Sequence, residues 1–143
     1  MIHLWLCGLI KLFSIHSDNL EASEIFGNPS QIKLAIFNLL DNARKYSLPD
    51  SPIELECRQE GDEAIIRIRN QGITITEGEV EGLFEKYQRG SNSMNTGGAG
   101  LGLWMVKSII KEHNGLVGLE GIASGVEAAI RQPLFHNAHC MCL

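Results

Sequence analysis

The sequence lacks any cluster of basic residues. Its 12 lysines and arginines are outnumbered by 17 aspartates and glutamates, which gives a net charge of -5. A nucleic-acid surface needs grouped basic side chains that neutralise successive phosphates. We therefore expect no nucleic-acid partner.

No apolar run is long enough to cross a bilayer. The longest, residues 4–13, is interrupted by Lys11 and falls short of the ~20 residues that a spanning helix needs. No Lys or Arg precedes this run and no small-x-small cleavage site follows it, so it does not resemble a secretory signal. We expect no direct membrane insertion and an intracellular location.

The cysteines show no disulfide framework. Four of them are scattered along the chain, and reduced thiols are expected: Cys7, Cys57, Cys140 and Cys142. The tail 135–143 groups four soft metal ligands, namely His136, His139, Cys140 and Cys142. A structural zinc site normally takes ligand pairs from two segments, and no second pair exists elsewhere. We interpret the tail as a frayed terminus.

Length and composition favour one folded domain. The 143 residues, of which 44% are hydrophobic, suffice for a single core. We divide the chain into a weakly defined segment 1–24 that includes an edge strand, a domain 25–134, and the tail 135–143. Within the first segment, "KLFSIH" at residues 11–16 is the candidate strand.

A first helix is predicted from about residue 29 to 47. Asn28 is a good N-cap, and Pro29 suits the first helical position. Apolar residues then recur at spacings of three and four, as on a buried helical stripe: Ile32, Ala35, Ile36, Leu39, Leu40 and Ala43.

The remaining patterns predict two hairpins, a long loop and a second helix. Alternating residues between 53 and 68 indicate two strands joined by "QEGD", and "LVGLE" and "VEAAIRQPL" form a second hairpin. Residues 72–98 form a long polar loop with a short helical patch at 79–87. An amphipathic helix follows and ends at Asn114-Gly115. This order predicts an α+β, two-layer sandwich with helices on one face of a mostly antiparallel sheet.

Four polar residues lie on one ridge of the first helix, at three- and four-residue spacings: Asn38, Asn42, Lys45 and Tyr46. Asparagine is a mediocre helix former, so two of them require a reason. A solvated polar face is one explanation. The other is a site in which an amide oxygen binds a hard cation while lysine meets the phosphates that the cation carries.

Glycines precede the second helix at positions 98, 100 and 102. A helix N-terminus offers free N–H groups, and glycine lets phosphate approach the backbone. The pattern is not a Walker loop, because no Gly-Lys-Ser/Thr follows. By itself the pattern is a weak signal, because glycine-rich turns before helices are also simple hinges.

Four segments together resemble a known family. "NLLDNARKYS", "IRNQGITI", "LFEKYQRG" and "GGAGLGLWMVKSIIKEHNG" are similar, in order and spacing, to the N, G1, F and G2 boxes of the catalytic ATP-binding domain of sensor histidine kinases. The resemblance covers about residues 25–134. It implies the Bergerat (GHKL) fold, with residues 72–98 as the ATP lid, and ATP and Mg²⁺ as cofactors.

The resemblance also implies roles for individual residues. Asn42 would bind magnesium, Lys45 would contact phosphate, Asn38 would lie beside the triphosphate and Tyr46 would line the nucleotide. Further nucleotide contacts would come from the G1, lid and G2 segments, namely Asn70, Gly72, Thr74, Phe84, Arg89, Gly98, Gly100, Leu101 and Gly102. Ordinary packing of the lid would also explain Phe84.

Two features depart from the family. The G1 pattern Asp-x-Gly-x-Gly reads here Asn70-Gln71-Gly72-Ile73-Thr74, so a charged acceptor for the adenine amino group becomes a neutral one. No histidine sits in a phosphoacceptor setting, so the histidine substrate would lie on a separate domain or chain, with a response regulator downstream. A degenerate domain that serves as a regulatory or docking module is the alternative hypothesis.

The residue at position 38 distinguishes kinases from hydrolases. ATP-hydrolysing members of the superfamily place a glutamate there as general base, and an amide cannot accept a proton at neutral pH. Asn38 therefore favours phosphotransfer over hydrolysis. This function agrees with a cytoplasmic location. It also agrees with a place in the cytoplasmic part of a membrane-bound sensor.

Overall fold

The computed structural model describes residues 15–20, 25, 27–85 and 102–134, which form a five-stranded sheet and three helices. The elements are β1 (Ile15–Leu20), α1 (Pro29–Tyr46), β2 (Ile53–Glu60), β3 (Glu63–Gln71), α2 (Glu77–Leu83), α3 (Gly102–Glu112), β4 (Leu116–Ile122) and β5 (Gly125–Pro133). The strand order is β1-β2-β3-β5-β4. All neighbours are antiparallel except β1 and β2. The predicted α+β sandwich is confirmed.

Helix α1 begins where its sequence predicts. The Asn28 side-chain oxygen accepts hydrogen bonds from the N–H groups of Ser30 at 3.0 Å and Gln31 at 3.3 Å, which satisfies two of the donors that a helix start leaves free. The helix ends at Tyr46, one residue before the predicted end. Ser47 is extended and forms a bridge with Gly72 instead.

One face of the sheet packs against the helices. Alternating residues of three strands form the sheet side of the core, namely Ile53, Leu55, Cys57, Ile66, Ile68, Ala128 and Ile130. The helices cover them with Ile36 and Leu40 of α1 and with Val106 and Ile110 of α3, each at most 1% exposed. This burial fixes α1 and α3 side by side on the sheet.

The opposite face carries a network of charged side chains. Arg69 binds Glu127 at 2.5 Å and Glu56 at 3.3 Å, and Arg67 lies 3.8 Å from Glu127. The hydrogen bond to Glu127 raises the pKa of Arg69, an effect that burial opposes. These charges compensate one another.

The edge strand differs from its prediction. The sequence places it at residues 11–16, whereas β1 is Ile15–Leu20, and residues 11–14 lie outside the described residues. It pairs parallel with β2, and Ile15 is opposite Ile53. The hairpin patterns predict no parallel pair, but α1 lies between β1 and β2 and supplies the long crossover that parallel strands need.

Helix α2 also differs from its predicted bounds. The periodicity suggests a patch at 79–87, yet the helix is Glu77–Leu83. The Glu79 carboxylate accepts a hydrogen bond from the Thr76 backbone N–H at 2.9 Å, and the two residues form a capping box. Capping fixes the start two residues earlier than apolar spacing indicates.

His113 joins the end of α3 to the start of α1. Its Nδ1 lies 2.7 Å from the Ile109 carbonyl oxygen, and its Nε2 accepts a hydrogen bond from the Asn28 N–H at 3.0 Å. This is the pattern of a neutral imidazole. Gly27 passes so close that an added Cβ would clash with the ring. The side chain therefore connects the two helices that flank the candidate site.

Replacing His113 by alanine should lower the free energy of unfolding by about 1 kcal/mol, because one hydrogen bond between helices is lost. The expected drop in melting temperature is about 3 °C. Lys111→Ala, at an exposed position of the same helix, is the matched control. Equal melting temperatures for the two variants would contradict the connecting role.

Candidate functional site

The amide residues of α1 lie opposite the first turns of α3. The Asn38 Nδ2 donates to the Met105 sulfur at 3.9 Å. A Cβ added to Gly102 would lie 3.8 Å from the Asn42 Nδ2. Gly102 is the first residue of α3, and the N–H groups of a first helical turn have no partner within the helix. Amide groups therefore face the positive end of a helix.

Lys45 lies one turn beyond Asn42 and forms an ion pair with Asp41. The Lys45 Nζ is 3.0 Å from the Asp41 carboxylate, and the two side chains are 41% and 40% exposed. An exposed pair at this spacing contributes little stability. Lys45 can therefore exchange Asp41 for a phosphate at low cost. The four-residue spacing of Asp41 and Lys45 is a signal that the sequence analysis did not use.

A second group of predicted residues meets at the end of β3. Asn70 is buried, 6% exposed, and belongs to the alternating set that faces the helices. Gly72 bridges Ser47, and a Cβ on Gly72 would clash with the Tyr46 carbonyl oxygen. Only glycine fits between these backbones. Asn70, Gly72 and Tyr46 thus form one group. Tyr46 lies four residues beyond Asn42, about 6 Å along the axis of α1.

Thr74 lies apart from this group. Its side chain is exposed, and its Oγ1 would be 2.6 Å from a Cβ added to Gly121 of β4. Gly121 pairs with Val126, which in turn pairs with Asn70. Thr74 therefore lies two strands across from Asn70, at roughly 10 Å.

Phe84 packs against α3. It is 6% exposed, and the Lys107 Nζ lies 5.6 Å from the centroid of its ring. This contact, which the sequence did not predict, is within the range of a cation–π interaction. It gives Phe84 a packing role. The other predicted contacts lie outside the described residues, namely Arg89, Gly98, Gly100 and Leu101.

The donors near Asn42 suit a nucleotide-bound magnesium ion. Among the described residues, no three His, Cys, Asp or Glu side chains are grouped to hold a metal. A magnesium ion at the Asn42 amide oxygen would take its other ligands from phosphates and water, as this ion commonly does. The bare backbone of Gly102 lies next to the Asn42 amide, where an added Cβ would be in van der Waals contact at 3.8 Å. The four potential metal ligands of the tail lie outside the described residues.

Comparison with known proteins agrees with this geometry. Residues 27–134 match the family described as histidine kinase-, DNA gyrase B-, and HSP90-like ATPase. The chain belongs to this family. Within it, similar proteins include the sensor protein RprX of Bacteroides fragilis (strain YCH46), 36% identical over 91% of the chain, and the sensor protein VanS of Enterococcus faecium, 37% identical over 68%.

Solved structures of histidine kinases have the same fold as this ATPase-family domain. The mycobacterial sensor histidine kinase MprB superposes with a TM-score of 0.73 at 26% identity, covering 90% of this chain and 89% of that one. The chain is thus an ATP-binding catalytic domain of the histidine kinase type. It spans only 28% of RprX and 26% of VanS.

Proposed function

We propose that this domain binds magnesium–ATP between α1 and α3 and presents the γ-phosphate to a histidine on a separate domain or chain. The observation that carries the proposal is the position of the Asn42 amide opposite Gly102, at the first turn of α3. An oxygen ligand for a hard cation and a helix N-terminus for an anion then lie next to each other.

The proposal assigns a role to each residue near this point. Asn42 would hold the cation through its amide oxygen, and Lys45 would leave Asp41 to contact phosphate. The N–H groups at the start of α3 would orient the phosphate chain. Magnesium, when bound with ATP, would neutralise the charge on the phosphate oxygens. Catalysis would then rest on positioning and charge stabilisation.

Asn38 favours phosphotransfer over hydrolysis. Its amide donates to the Met105 sulfur and has no basic atom that could take a proton from water. The purified domain should therefore release little phosphate from ATP when no acceptor protein is present. Appreciable phosphate release would favour a hydrolytic ATPase.

The acceptor histidine and a downstream response regulator belong to the rest of the proposed pathway. The similar proteins are named sensor proteins, and such a signalling role would place the domain in the cytoplasm. None of the helices in the described ranges is long and apolar enough to cross a membrane.

Calorimetric titration of the whole chain with magnesium and an ATP analogue tests this proposal directly. Binding in the micromolar to millimolar range is expected, and it should weaken when magnesium is chelated. Phosphate transfer from labelled ATP to a separately supplied histidine domain would extend the result to catalysis. No detectable binding at millimolar nucleotide would contradict the proposal and favour the regulatory or docking module.

Restoring the family pattern should tighten ATP binding. The double substitution Asn70→Asp and Thr74→Gly returns a charged acceptor, which contributes ~1–2 kcal/mol more than a neutral one and so about a five- to thirtyfold gain in affinity. Thr74→Gly alone is the control, because Thr74 lies away from Asn70. Binding that appears only in the double variant would identify the native chain as a degenerate module.

A further inference from the structure

Strand β4 forms one edge of the sheet, and its outer side is free in the described part of the chain. There its neighbour is β5, with which it pairs without interruption from Leu116 to Ile122. Alternate N–H and C=O groups of an edge strand point away from the sheet and can pair with another strand. Proteins commonly block such an edge with proline, lysine or a bulge, and β4 has none of these. The other edge, β1, has a register shift between His16 and Asn19.

The outward face of β4 carries a carboxylate without a partner. Val117 and Leu119 pack against the core, so Glu120 lies on the opposite face, where it is exposed. The other glutamates of this face each lie within 3.8 Å of an arginine, namely Glu54, Glu56, Glu60, Glu63 and Glu127. Among the described residues Glu120 has no ion pair, and its direct neighbour on β5 is Glu127, a second acid. A cation beside Glu120 would relieve this repulsion.

Two further features of β4 suit a partner. Leu116 is 69% exposed, the highest value among the large hydrophobic residues of the described ranges. Gly118 lies between Leu116 and Glu120 on the same face, and an added Cβ there would meet nothing within 4 Å. Its φ is not positive, so neither packing nor backbone conformation within the described residues requires glycine. A glycine inside a strand often marks the close approach of another backbone.

We propose that the free edge of β4 binds an extended peptide segment of a partner protein by strand addition. Backbone hydrogen bonds along the edge would hold the segment, and side-chain contacts would select it. Glu120 and Leu116 lie four residues apart on one face, so the segment carries a basic and an apolar residue at the same spacing. A second copy of β4 fits less well, because Leu116–Ile122 contains no lysine or arginine to neutralise Glu120. The inference does not depend on ATP binding.

A fluorescent peptide tests the proposal on the whole chain. Antiparallel pairing with residues 116–122 puts the third residue of Val-Thr-Lys-Thr-Val-Thr-Val opposite Glu120 and the seventh opposite Leu116. Fluorescence anisotropy without nucleotide should show binding in the micromolar to low millimolar range, as expected for a small contact. Replacing the lysine of the peptide by glutamate should weaken binding roughly three- to tenfold. No binding at millimolar peptide overturns the inference.

The variant Glu120→Lys supplies the matched comparison. It should prefer the glutamate peptide over the lysine peptide by a similar factor, because the charge on the protein is reversed. Glu112→Lys makes the same change of net charge at an exposed position of α3 and should keep the preference for the lysine peptide. A preference that survives in Glu120→Lys, or that reverses in Glu112→Lys, overturns the inference.

Methylation of the peptide backbone separates strand addition from simple attraction between charges. Two lysine peptides are methylated on alternate nitrogens, one at the odd and one at the even positions. Because only one set of N–H groups faces β4, one peptide should bind at least about tenfold more weakly and the other like the parent. Equal binding of the two overturns the inference, and so does self-association of the chain that the peptide reverses, since a second copy then occupies the edge. If Glu120→Lys does not fold, the methylated peptides decide.

Discussion

Replacing Asn42 by alanine should weaken magnesium–ATP binding roughly ten- to hundredfold. The expected loss corresponds to one hydrogen bond or ligand contact to a charged group, about 1.5–3 kcal/mol. Asn42 faces the first residue of α3, because its Nδ2 would lie 3.8 Å from a Cβ added to Gly102. Calorimetric titration of the whole chain with an ATP analogue measures the change.

The dependence on magnesium separates a ligand role from a structural one. When magnesium is chelated, the native chain and Asn42→Ala should differ by less than about threefold, because the amide oxygen then has no cation to hold. Gln31→Ala removes an exposed amide side chain from the same helix and should bind like the native chain. An equal loss for Asn42→Ala with and without magnesium would contradict the assignment.

The parts of the fold that the sequence predicts depend on signals that act over a few neighbouring residues. The Asn28 cap and Pro29 place the start of α1 because they act on the backbone within three residues. The left-handed Asn114, with φ of 61°, likewise marks the end of α3. The alternation of apolar and polar residues in β2 and β3 is equally local, because it requires only that one face of the sheet be buried.

Contacts between distant segments account for what the sequence does not predict. The parallel pairing of β1 with β2 depends on where α1 returns the chain. The crossing of Gly72 over the Tyr46 carbonyl, and the contact of Lys107 with Phe84, join segments whose spacing carries no periodic signal. The unpartnered Asn70 donor is also visible only in three dimensions. Residue type shows that a donor replaces an acceptor at this position, and the structure adds that the donor is buried and has no partner among the described residues.

Gly121 is required because of its contacts with a neighbouring segment. Gly121 in β4 lies under the segment that leads from Gly72 towards α2. An added Cβ would clash with the Ile75 carbonyl oxygen and would approach the Thr74 Oγ1 to 2.6 Å. Because a backbone carbonyl cannot turn aside as a flexible side chain can, either the strand or the segment has to move.

Gly121→Ala should therefore lower the free energy of unfolding by about 2–3 kcal/mol, the usual cost of overpacking. The melting temperature should fall by roughly 6–10 °C, measured by thermal denaturation followed by circular dichroism. Gly118→Ala in the same strand is the matched control, because a Cβ there meets nothing within 4 Å. Alanine loses less conformational entropy than glycine when a strand forms, so the stability of Gly118→Ala should equal or slightly exceed that of the native chain.

A large loss of stability for Gly121→Ala and none for Gly118→Ala would show that packing is the reason why position 121 requires glycine. Intrinsic strand preference acts equally on both positions, so similar losses for Gly118→Ala and Gly121→Ala would contradict the spatial explanation. The effect on ATP should also be local. Gly121 lies two strands across from Asn70, so Gly121→Ala should disturb the segment at Thr74 and Ile75 and leave the Asn42 end of the candidate site unchanged.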